Sequence, residues 1–218
     1  MEIYDISVIN GKEVPNPDND RFSLEMIEME IGDSTFVDTR ISLRAHTGTH
    51  LDAPSHLLPF TKDLCDYPLD RFLLPAVVID IKDPVKIGVE ELKAADIREG
   101  DAVVFKTLNS VNGWCVDPHY QMRPDLTLSA GNYVYLSMEA AEYLVEKGVT
   151  MLGLDFGMGE SWGEPPHTEL HKYIFAKDVI FLESIYTANV PAGRYTLSAL
   201  PLKMEGATGL PVRAVLFR

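Results

Sequence analysis

Three histidines and one aspartate fall within an eleven-residue stretch, HTGTHLDAPSH, which covers residues 46–56. The imidazoles belong to His46, His50 and His56, and the carboxylate belongs to Asp52. Imidazole and carboxylate groups suit zinc, manganese or ferrous iron, and three protein ligands leave coordination positions open for water. Open positions are typical of catalytic metal sites. The stretch therefore predicts a metal-dependent enzyme.

The conformation of this stretch is predicted to be extended. Gly48 and Pro54 both oppose a helix, and on a strand all the candidate ligands would point to one side because the side-chain period is two. A straight strand separates His46 from His50 by roughly 13 Å, so one ion can bind both only if the chain bends. We expect the bend at Gly48, where unusual dihedral angles cost least. The two threonines beside this glycine are expected to satisfy backbone groups that the bend exposes.

Further candidate ligands lie far along the chain. His171 opens the segment HKYIFAKDVIFLE, in which Glu183 ends an apolar run. The two other histidines, His119 and His167, lie in loops that contain proline, where we expect structural or solvated side chains. Glu183 is well placed to reach a site at the edge of a sheet. Taken alone, His171 and Glu183 are equally compatible with a surface histidine and an ordinary salt-bridging glutamate.

The elements that must position these groups include seven predicted strands, each rich in branched side chains. Apolar and acidic residues alternate in LEMIEMEI, which indicates a half-exposed antiparallel strand, whereas AVVIDI and MLGLDF are apolar enough to be buried on both faces. The predicted strands are SLEMIEMEI (23–31), TFVDTRISLRA (35–45), PAVVIDI (75–81), DAVVF (101–105), TMLGLDF (150–156), VIFLESI (179–185) and PVRAVLF (211–217).

Two helices are predicted, over GVEELKAAD and MEAAEYLVEKG. The second has Ser137 as a plausible N-cap and Gly148 as a stop signal. Each helix precedes a predicted strand, which is typical of a mixed α/β fold with an antiparallel component.

The composition suits one globular domain over residues 1–218, with 46% hydrophobic and 24% charged residues. The net charge of −14 opposes binding to nucleic acid or to anionic membranes. No apolar run is long enough to span a bilayer, and the N-terminal residues lack the pattern of a secretory signal, so a cytoplasmic location is expected. Cys65 and Cys115 are too few for a disulfide framework.

The stretch HTGTHLDAPSH resembles the HxGTHxDxPxH signature of the metal-dependent cyclase family at every signature position. This family includes bacterial kynurenine formamidase and isatin hydrolase. The segment HKYIFAKDVIFLES is similar to the family's second metal segment, and LPLKMEGATGLPVRAVLF is similar to its C-terminal glycine-then-strand segment. The resemblance covers most of the chain.

The resemblance implies a swivelling β/β/α (cyclase-like) fold of the α/β class with a mixed sheet. It also implies hydrolysis of a C–N bond in a small amide, formamide or cyclic amide by a divalent metal ion. Members are usually oligomeric, so a homodimer or homotetramer is expected.

The resemblance also assigns roles to single residues. His56 falls on the catalytic acid/base. The formamidase branch binds two zinc ions, with Asp52 and Glu183 bridging them, whereas isatin hydrolase-like members bind a single manganese. Zinc is the metal expected first, and the number of ions stays open. The positions that match metal ligands are His46, His50, Asp52, His171 and Glu183.

The chain departs from the formamidase branch near its N-terminus. That branch carries a Pro-Gly-Asp turn beside an aromatic residue that stacks on the substrate, whereas this chain reads VPNPDNDRF, with Phe22 as the candidate aromatic. In the loop GMGESWGEPPHTE, Glu160 and Trp162 are candidate substrate contacts.

Two alternative functions are compatible with the residues. A non-haem iron oxygenase would use His50, Asp52 and either His119 or His171 as a facial triad, but it would leave the other candidate ligands without a role. A non-catalytic metal-binding module would have a closed coordination sphere without exchangeable water.

Overall fold

The computed structural model describes residues 1–14, 22–121, 133–156 and 168–218, and these contain thirteen strands and five α-helices. The strands are β1 (Ile3–Asp5), β2 (Phe22–Ile31), β3 (Ser34–Leu43), β4 (His50–Asp52), β5 (Leu73–Asp80), β6 (Lys86–Ile87), β7 (Ala102–Lys106), β8 (Tyr135–Leu136), β9 (Met151–Gly153), β10 (Ile180–Glu183), β11 (Gly193–Ser198), β12 (Gly209–Pro211) and β13 (Val215–Phe217). The helices are α1 (Val89–Lys93), α2 (Leu108–Val111), α3 (Pro118–Gln121), α4 (Met138–Glu146) and α5 (Glu169–Ala176).

Nine strands form one mixed sheet in the order β1-β13-β11-β5-β7-β9-β10-β4-β12. The pairs from β5 through β7 and β9 to β10 are parallel, and the flanking pairs are antiparallel. The central parallel strands carry continuous apolar runs because both of their faces are covered. The predicted α/β fold with a mixed sheet is confirmed.

Two apolar cores lie on opposite faces of this sheet. Along β7, Ala102 and Val104 enter one core, and Val103 and Phe105 enter the other, as the side-chain period of two requires. The second core also contains the buried side chains of α1, α4 and α5. The helices therefore cover one face, and this face carries the polar cluster described below.

The sequence predicted the main elements and missed short ones. All seven predicted strand segments contain a strand, and both predicted helices are present as α1 and α4. The hydroxyl of Ser137 accepts the backbone N–H of Ala140, and Gly148 adopts a φ of 73° just after α4. The unpredicted strands have two to six residues, and α2, α3 and α5 also had no prediction. Short elements give too few periods for a pattern to be recognised.

Strands β2 and β3 form a separate antiparallel hairpin, which we call the arm (residues 22–43). Within the described part of the chain, these two strands pair only with each other. The alternating pattern of LEMIEMEI predicted one buried face, and this prediction is wrong: β2 is exposed except at Phe22 and Ile27, which are partly covered, and β3 is exposed throughout.

Two other expectations concern cysteines and membranes. Cys65 and Cys115 are both free, as expected. Over the described ranges, no helix combines the length and the apolar character that crossing a bilayer would need.

Candidate metal centre

Strand β4 presents two of the predicted ligands from the middle of the HTGTHLDAPSH stretch. It lies between β10 and β12, and His50 is directly opposite Glu183 of β10. Since alternate residues share a face, His50, Asp52 and Glu183 point to the same side of the sheet. Leu51 points to the other side and is fully buried in the first core. This burial fixes the register, because a shift by one residue would bury the ligands' face in that core.

The bend predicted at Gly48 is present, with a φ of 65°. A Cβ atom at this position would lie 1.9 Å from Oδ1 of Asn10, so the dihedral angle favours glycine and an added Cβ would also displace the Asn10 side chain. The prediction that all candidate ligands extend along one strand is wrong. Regular strand geometry is limited to His50–Asp52, and the chain turns again in a 3₁₀ helix over Pro54–His56. The two turns bring the flanking histidines back towards the strand.

Helix α5 supplies His171, a ligand far in sequence from the signature stretch. It packs on the helical face of the sheet with Leu170, His171, Ile174 and Phe175 buried. The imidazole of His171 lies 4.7 Å from the ring of Phe181, measured between centroids. This packing directs His171 towards Glu183, two residues beyond Phe181 on the same strand face.

A first group of potential ligands consists of His46, His50 and Asp52, whose ligand atoms all lie within 4.8 Å of one another. Nδ1 of His46 is 2.5 Å from Oδ1 of Asp52, and Nε2 of His50 is 3.0 Å from the same oxygen. Nδ1 of His50 donates to the carbonyl oxygen of Gly48 at 2.7 Å. This hydrogen bond leaves Nε2 of His50 directed at the carboxylates, an arrangement common for histidines that bind metals.

A second group consists of Asp52, His171 and Glu183, which meet the same 4.8 Å limit. Nε2 of His171 is 3.3 Å from Oε1 of Glu183, and Oε2 of that carboxylate is 3.8 Å from Nε2 of His50. Asp52 thus belongs to both groups, and Glu183 contacts a histidine of each. The two carboxylates thus lie between the imidazoles of His46 and His50 and the single imidazole of His171.

The electrostatics of the cluster reflect deep burial combined with close opposite charges. Burial by itself would lower the pKa of His50, but the charge and hydrogen bond of Asp52 and the charge of Glu183 raise it to about 9. Burial also disfavours the ionised form of Asp52, yet the adjacent histidines hold the pKa of this carboxyl well below its usual range. The carboxylates therefore require positive charge beside them.

This donor set fits a divalent cation. Buried carboxylates are normally paired with cations or bound to metal ions, and here the available partners are imidazoles, which bind metals in their neutral form. Nitrogen and oxygen donors of this kind suit zinc and manganese. All five predicted ligands belong to the two groups.

His56 occupies a different place from the ligands. It ends the 3₁₀ helix, is exposed, and lies against His46, with ring centroids 4.0 Å apart and the ring planes tilted by 38°. Burial of part of its imidazole lowers the pKa of His56. Its side chain belongs to neither ligand group. It is therefore placed at the mouth of the cluster, next to a ligand and in contact with solvent.

Two threonines support the cluster. Thr49 donates its hydroxyl to the carbonyl oxygen of Ser184 at 2.6 Å and accepts the N–H of Val8, as expected for a threonine beside the bend. Thr208 was not predicted: its Oγ1 is 3.2 Å from Nε2 of His46. The signal for this contact was the neighbouring glycine of the C-terminal segment, because a Cβ at Gly209 would lie 2.5 Å from the His46 ring.

The other candidate residues lie away from the cluster or outside the described residues. His119 is exposed on α3 and belongs to neither ligand group, so its proposed place in a facial triad is wrong. Glu160, Trp162 and His167 lie outside the described residues. The ring of Phe22, at the start of the arm, is the nearest group to a Cβ built at Gly11.

Known proteins resemble this chain in sequence and in fold. A kynurenine formamidase of Geobacillus thermodenitrificans (strain NG80-2) is 33% identical over 180 residues, which cover 81% of this chain and 78% of the relative. A solved structure of a predicted metal-dependent hydrolase from Bacillus stearothermophilus is 28% identical, with a TM-score of 0.74 over 99% of this chain and 97% of its own.

Isatin hydrolase A from Ralstonia solanacearum has the same fold, with a TM-score of 0.78 and 22% identity over 99% of this chain and 91% of its own. The family model described as "Putative cyclase" matches residues 4–158, and this range includes the whole signature stretch. With most of its length matched, the chain belongs to the cyclase family.

Proposed function

We propose that this protein is a divalent-metal-dependent hydrolase that cleaves a C–N bond, other than a peptide bond, in a small amide, formamide or cyclic amide. The observation that carries this proposal is the pair of ligand groups that share Asp52. Membership of the cyclase family and the similarity to a kynurenine formamidase support the same reaction class.

The metal ligands of this proposal are those of the two groups. His46, His50 and Asp52 would hold one ion, and His171 and Glu183 would hold a second ion together with Asp52. The sharing of Asp52 favours two ions over one. Zinc is the proposed metal because imidazole and carboxylate donors in a compact site suit it, and manganese is the alternative.

The reaction adds water to a carbonyl carbon, breaks the C–N bond and moves one proton from the water to the departing nitrogen. A divalent cation in this cluster would acidify water and polarise the carbonyl oxygen. His56 is proposed to take the proton from the water and to give it to the nitrogen. Its position suits this role, since it touches His46 and is open to solvent. Proton transfer of this kind typically contributes about 10²–10⁴-fold to the rate.

Three further properties belong to the proposal. The protein acts as a homodimer or homotetramer on a small-molecule substrate. One domain spans residues 1–218, and strands from both ends of the chain, β1 and β13, pair with each other in the main sheet. A cytoplasmic location remains the prediction from sequence.

The iron oxygenase alternative is not favoured. A facial triad uses three ligands, whereas His46 and Glu183 lie within the same cluster as His50, Asp52 and His171. A non-catalytic module would have no use for an exposed histidine in contact with a ligand. The position of His56 therefore favours an enzyme.

A substrate panel tests the proposal. The purified protein, loaded with zinc or manganese, is assayed against N-formyl aromatic amines, cyclic imides and isatin, with a peptide amide as the control. We expect hydrolysis of at least one of the first three classes and none of the peptide. Turnover that consumes oxygen instead of water, or no turnover with any C–N substrate, would contradict the proposal.

A further inference from the structure

The imidazole of His46 has a different polar partner at each of its two ring nitrogens. Nδ1 lies 2.5 Å from Oδ1 of Asp52, and Nε2 lies 3.2 Å from Oγ1 of Thr208. A neutral imidazole carries a proton on one nitrogen only, so that nitrogen donates a hydrogen bond and the other is free to bind a metal ion. The partners of His46 can therefore decide which of its nitrogens becomes the ligand atom.

The neighbouring ligand, His50, shows how such a choice is made. Its Nδ1 donates to the carbonyl oxygen of Gly48, and its Nε2 lies 3.0 Å from Oδ1 of Asp52. A carbonyl oxygen can only accept a hydrogen bond, so Gly48 holds the proton of a neutral His50 on Nδ1. In His46 the arrangement is reversed, because there Nδ1 faces the same carboxylate oxygen. For both neutral imidazoles to bind one ion beside Asp52, His46 must carry its proton on Nε2.

The main sheet sets the position of Thr208 relative to Asp52. The N–H of Ala53 donates to the carbonyl oxygen of Thr208 at 2.9 Å, and the next residue, Gly209, pairs with Asp52 where β12 runs beside β4. The hydroxyl of Thr208 and the carboxylate of Asp52 therefore come from neighbouring strands that the backbone ladder holds together. The imidazole of His46 bridges these two fixed groups.

The backbone of Gly209 lies against the edge of the His46 ring. A Cβ atom at Gly209 would lie 2.5 Å from Cε1 and 2.9 Å from Nδ1 of this imidazole. A half turn of the ring about its bond to Cβ would exchange Nδ1 with Cδ2 and Nε2 with Cε1. Carbon atoms would then face Asp52 and Thr208, and both hydrogen bonds would be lost. The two partners together therefore define one orientation of the ring.

We propose that Thr208 is a positioning residue, whose hydroxyl accepts the N–H of Nε2 of His46 and thereby keeps Nδ1 as the atom that binds the metal. The inference rests on the proposed function, since it requires a divalent ion in the cluster. Thr208 belongs to neither ligand group and would act only through His46. Partners that hold the second nitrogen of a metal-binding histidine typically contribute about 10–100-fold to metal affinity.

The affinity for zinc of matched variants tests the inference. Thr208→Val keeps the branched shape of the side chain and removes the hydroxyl, whereas Thr208→Ser keeps the hydroxyl. The control is Thr196→Val on β11, because four strands separate β11 from β4 in the sheet. Each protein is stripped of metal and titrated with zinc in competition with a chromophoric chelator, and circular dichroism confirms that it is folded.

We expect Thr208→Val to raise the dissociation constant for zinc about 10–100-fold, and Thr208→Ser and Thr196→Val to bind zinc nearly as tightly as the wild type. Rescue by serine separates a hydrogen bond to the ligand from a role in packing, because serine lacks the methyl group of threonine. A Thr208→Val protein with wild-type affinity, or a serine variant as weak as the valine variant, would overturn the inference.

Nuclear magnetic resonance of the wild type with zinc tests the same point without relying on a Thr208 variant that folds. In protein labelled with ¹⁵N-histidine, couplings between ring nitrogens and ring protons show which nitrogen carries the proton. A His46→Gln variant identifies the signals of His46 by their loss. We expect the proton of His46 on Nε2 and that of His50 on Nδ1. A proton on Nδ1 of His46 in the zinc-bound protein would overturn the inference.

Failure of this inference can be told apart from failure of the proposed function. Equal zinc affinity of the wild type and Thr208→Val removes the role of Thr208 and leaves the metal-dependent hydrolase standing. Wild-type protein that binds no zinc would overturn this inference, and wild-type protein that binds neither zinc nor manganese would overturn the proposed function with it.

Discussion

The metal centre buries charged and polar groups, whereas the arm leaves large apolar side chains in water. In the centre, His50, Asp52, His171 and Glu183 are all at least nine-tenths buried. On the arm, the side chains that a fold normally covers are exposed. Buried carboxylates need positive charge, and exposed apolar surface needs a covering surface. Both regions therefore contain groups that need a partner. The partner is a cation in the metal centre and a covering surface on the arm.

The two regions also differ in how tightly the fold holds them. The metal centre joins a strand inside the main sheet, a helix and two turns, so a small change at one residue affects several others. The arm is held by its own ladder of backbone hydrogen bonds. Changes in the centre should therefore affect activity and stability more than changes on the arm.

The largest expected effect is that of Asp52→Asn. Because Asp52 belongs to both ligand groups, the amide would weaken the binding of either ion and remove a buried charge from between the histidines. We expect loss of bound metal and a fall in hydrolysis of about 10⁴-fold or more. Metal analysis by mass spectrometry beside the hydrolysis assay measures both. The control is Asp70→Asn, an exposed aspartate; an Asp52→Asn protein with full metal content and activity would show that the centre is misassigned.

The next effect is that of His56→Ala, which separates proton transfer from metal binding. The side chain belongs to neither ligand group, so we expect the metal content to stay unchanged while kcat falls about 10²–10⁴-fold. The same change at the exposed His119 is the matched control and should leave kcat unaltered. If His56→Ala protein lost its metal, His56 would be a ligand and its role as acid/base would be wrong.

A smaller effect is expected from replacing either of two glycines that have nearly the same φ. Gly48 in the metal centre has a φ of 65°, and Gly32 in the turn of the arm has a φ of 67°. A Cβ at Gly48 would lie 1.9 Å from Asn10, whereas a Cβ at Gly32 would meet nothing within 4 Å. We expect Gly32→Ala to lower the free energy of unfolding by about 1 kcal/mol, from backbone strain alone.

Gly48→Ala should lower the free energy of unfolding by about 2–4 kcal/mol, because the clash adds to the strain. Urea unfolding of both variants gives the two values. Equal losses at the two positions would mean that the bend in the metal centre is no more constrained than the free turn of the arm.

Sequence reasoning predicted the metal centre better than the arm. The ligands of the signature stretch lie within a few residues of one another, so spacing and the requirement for a bend at Gly48 were enough to group them. His171 and Glu183 needed the family resemblance, because only the order of strands in the sheet brings β10 beside β4. The contact of Thr208 with His46 spans 162 residues, and its signal in the sequence was the neighbouring Gly209, whose role only the folded chain makes clear.

The arm shows what an alternation of apolar and polar residues can and cannot predict. The alternation in LEMIEMEI correctly predicted an antiparallel strand, since the pattern reports the local period of the side chains. It did not predict exposure, because burial depends on whether another surface covers the strand. In the described residues, the arm strands pair with each other and are not part of the main sheet. The apolar residues of the arm thus indicate a covering surface without revealing where it is.

The most direct test of the account is to remove and restore the metal. Purified protein is treated with a chelator, its metal content is measured, and hydrolysis is assayed before and after addition of zinc or manganese. We predict between one and two ions per chain, loss of hydrolysis as they are removed, and recovery when they are returned. Full hydrolysis by protein without metal would contradict the assignment of the buried histidines and carboxylates as a catalytic metal centre.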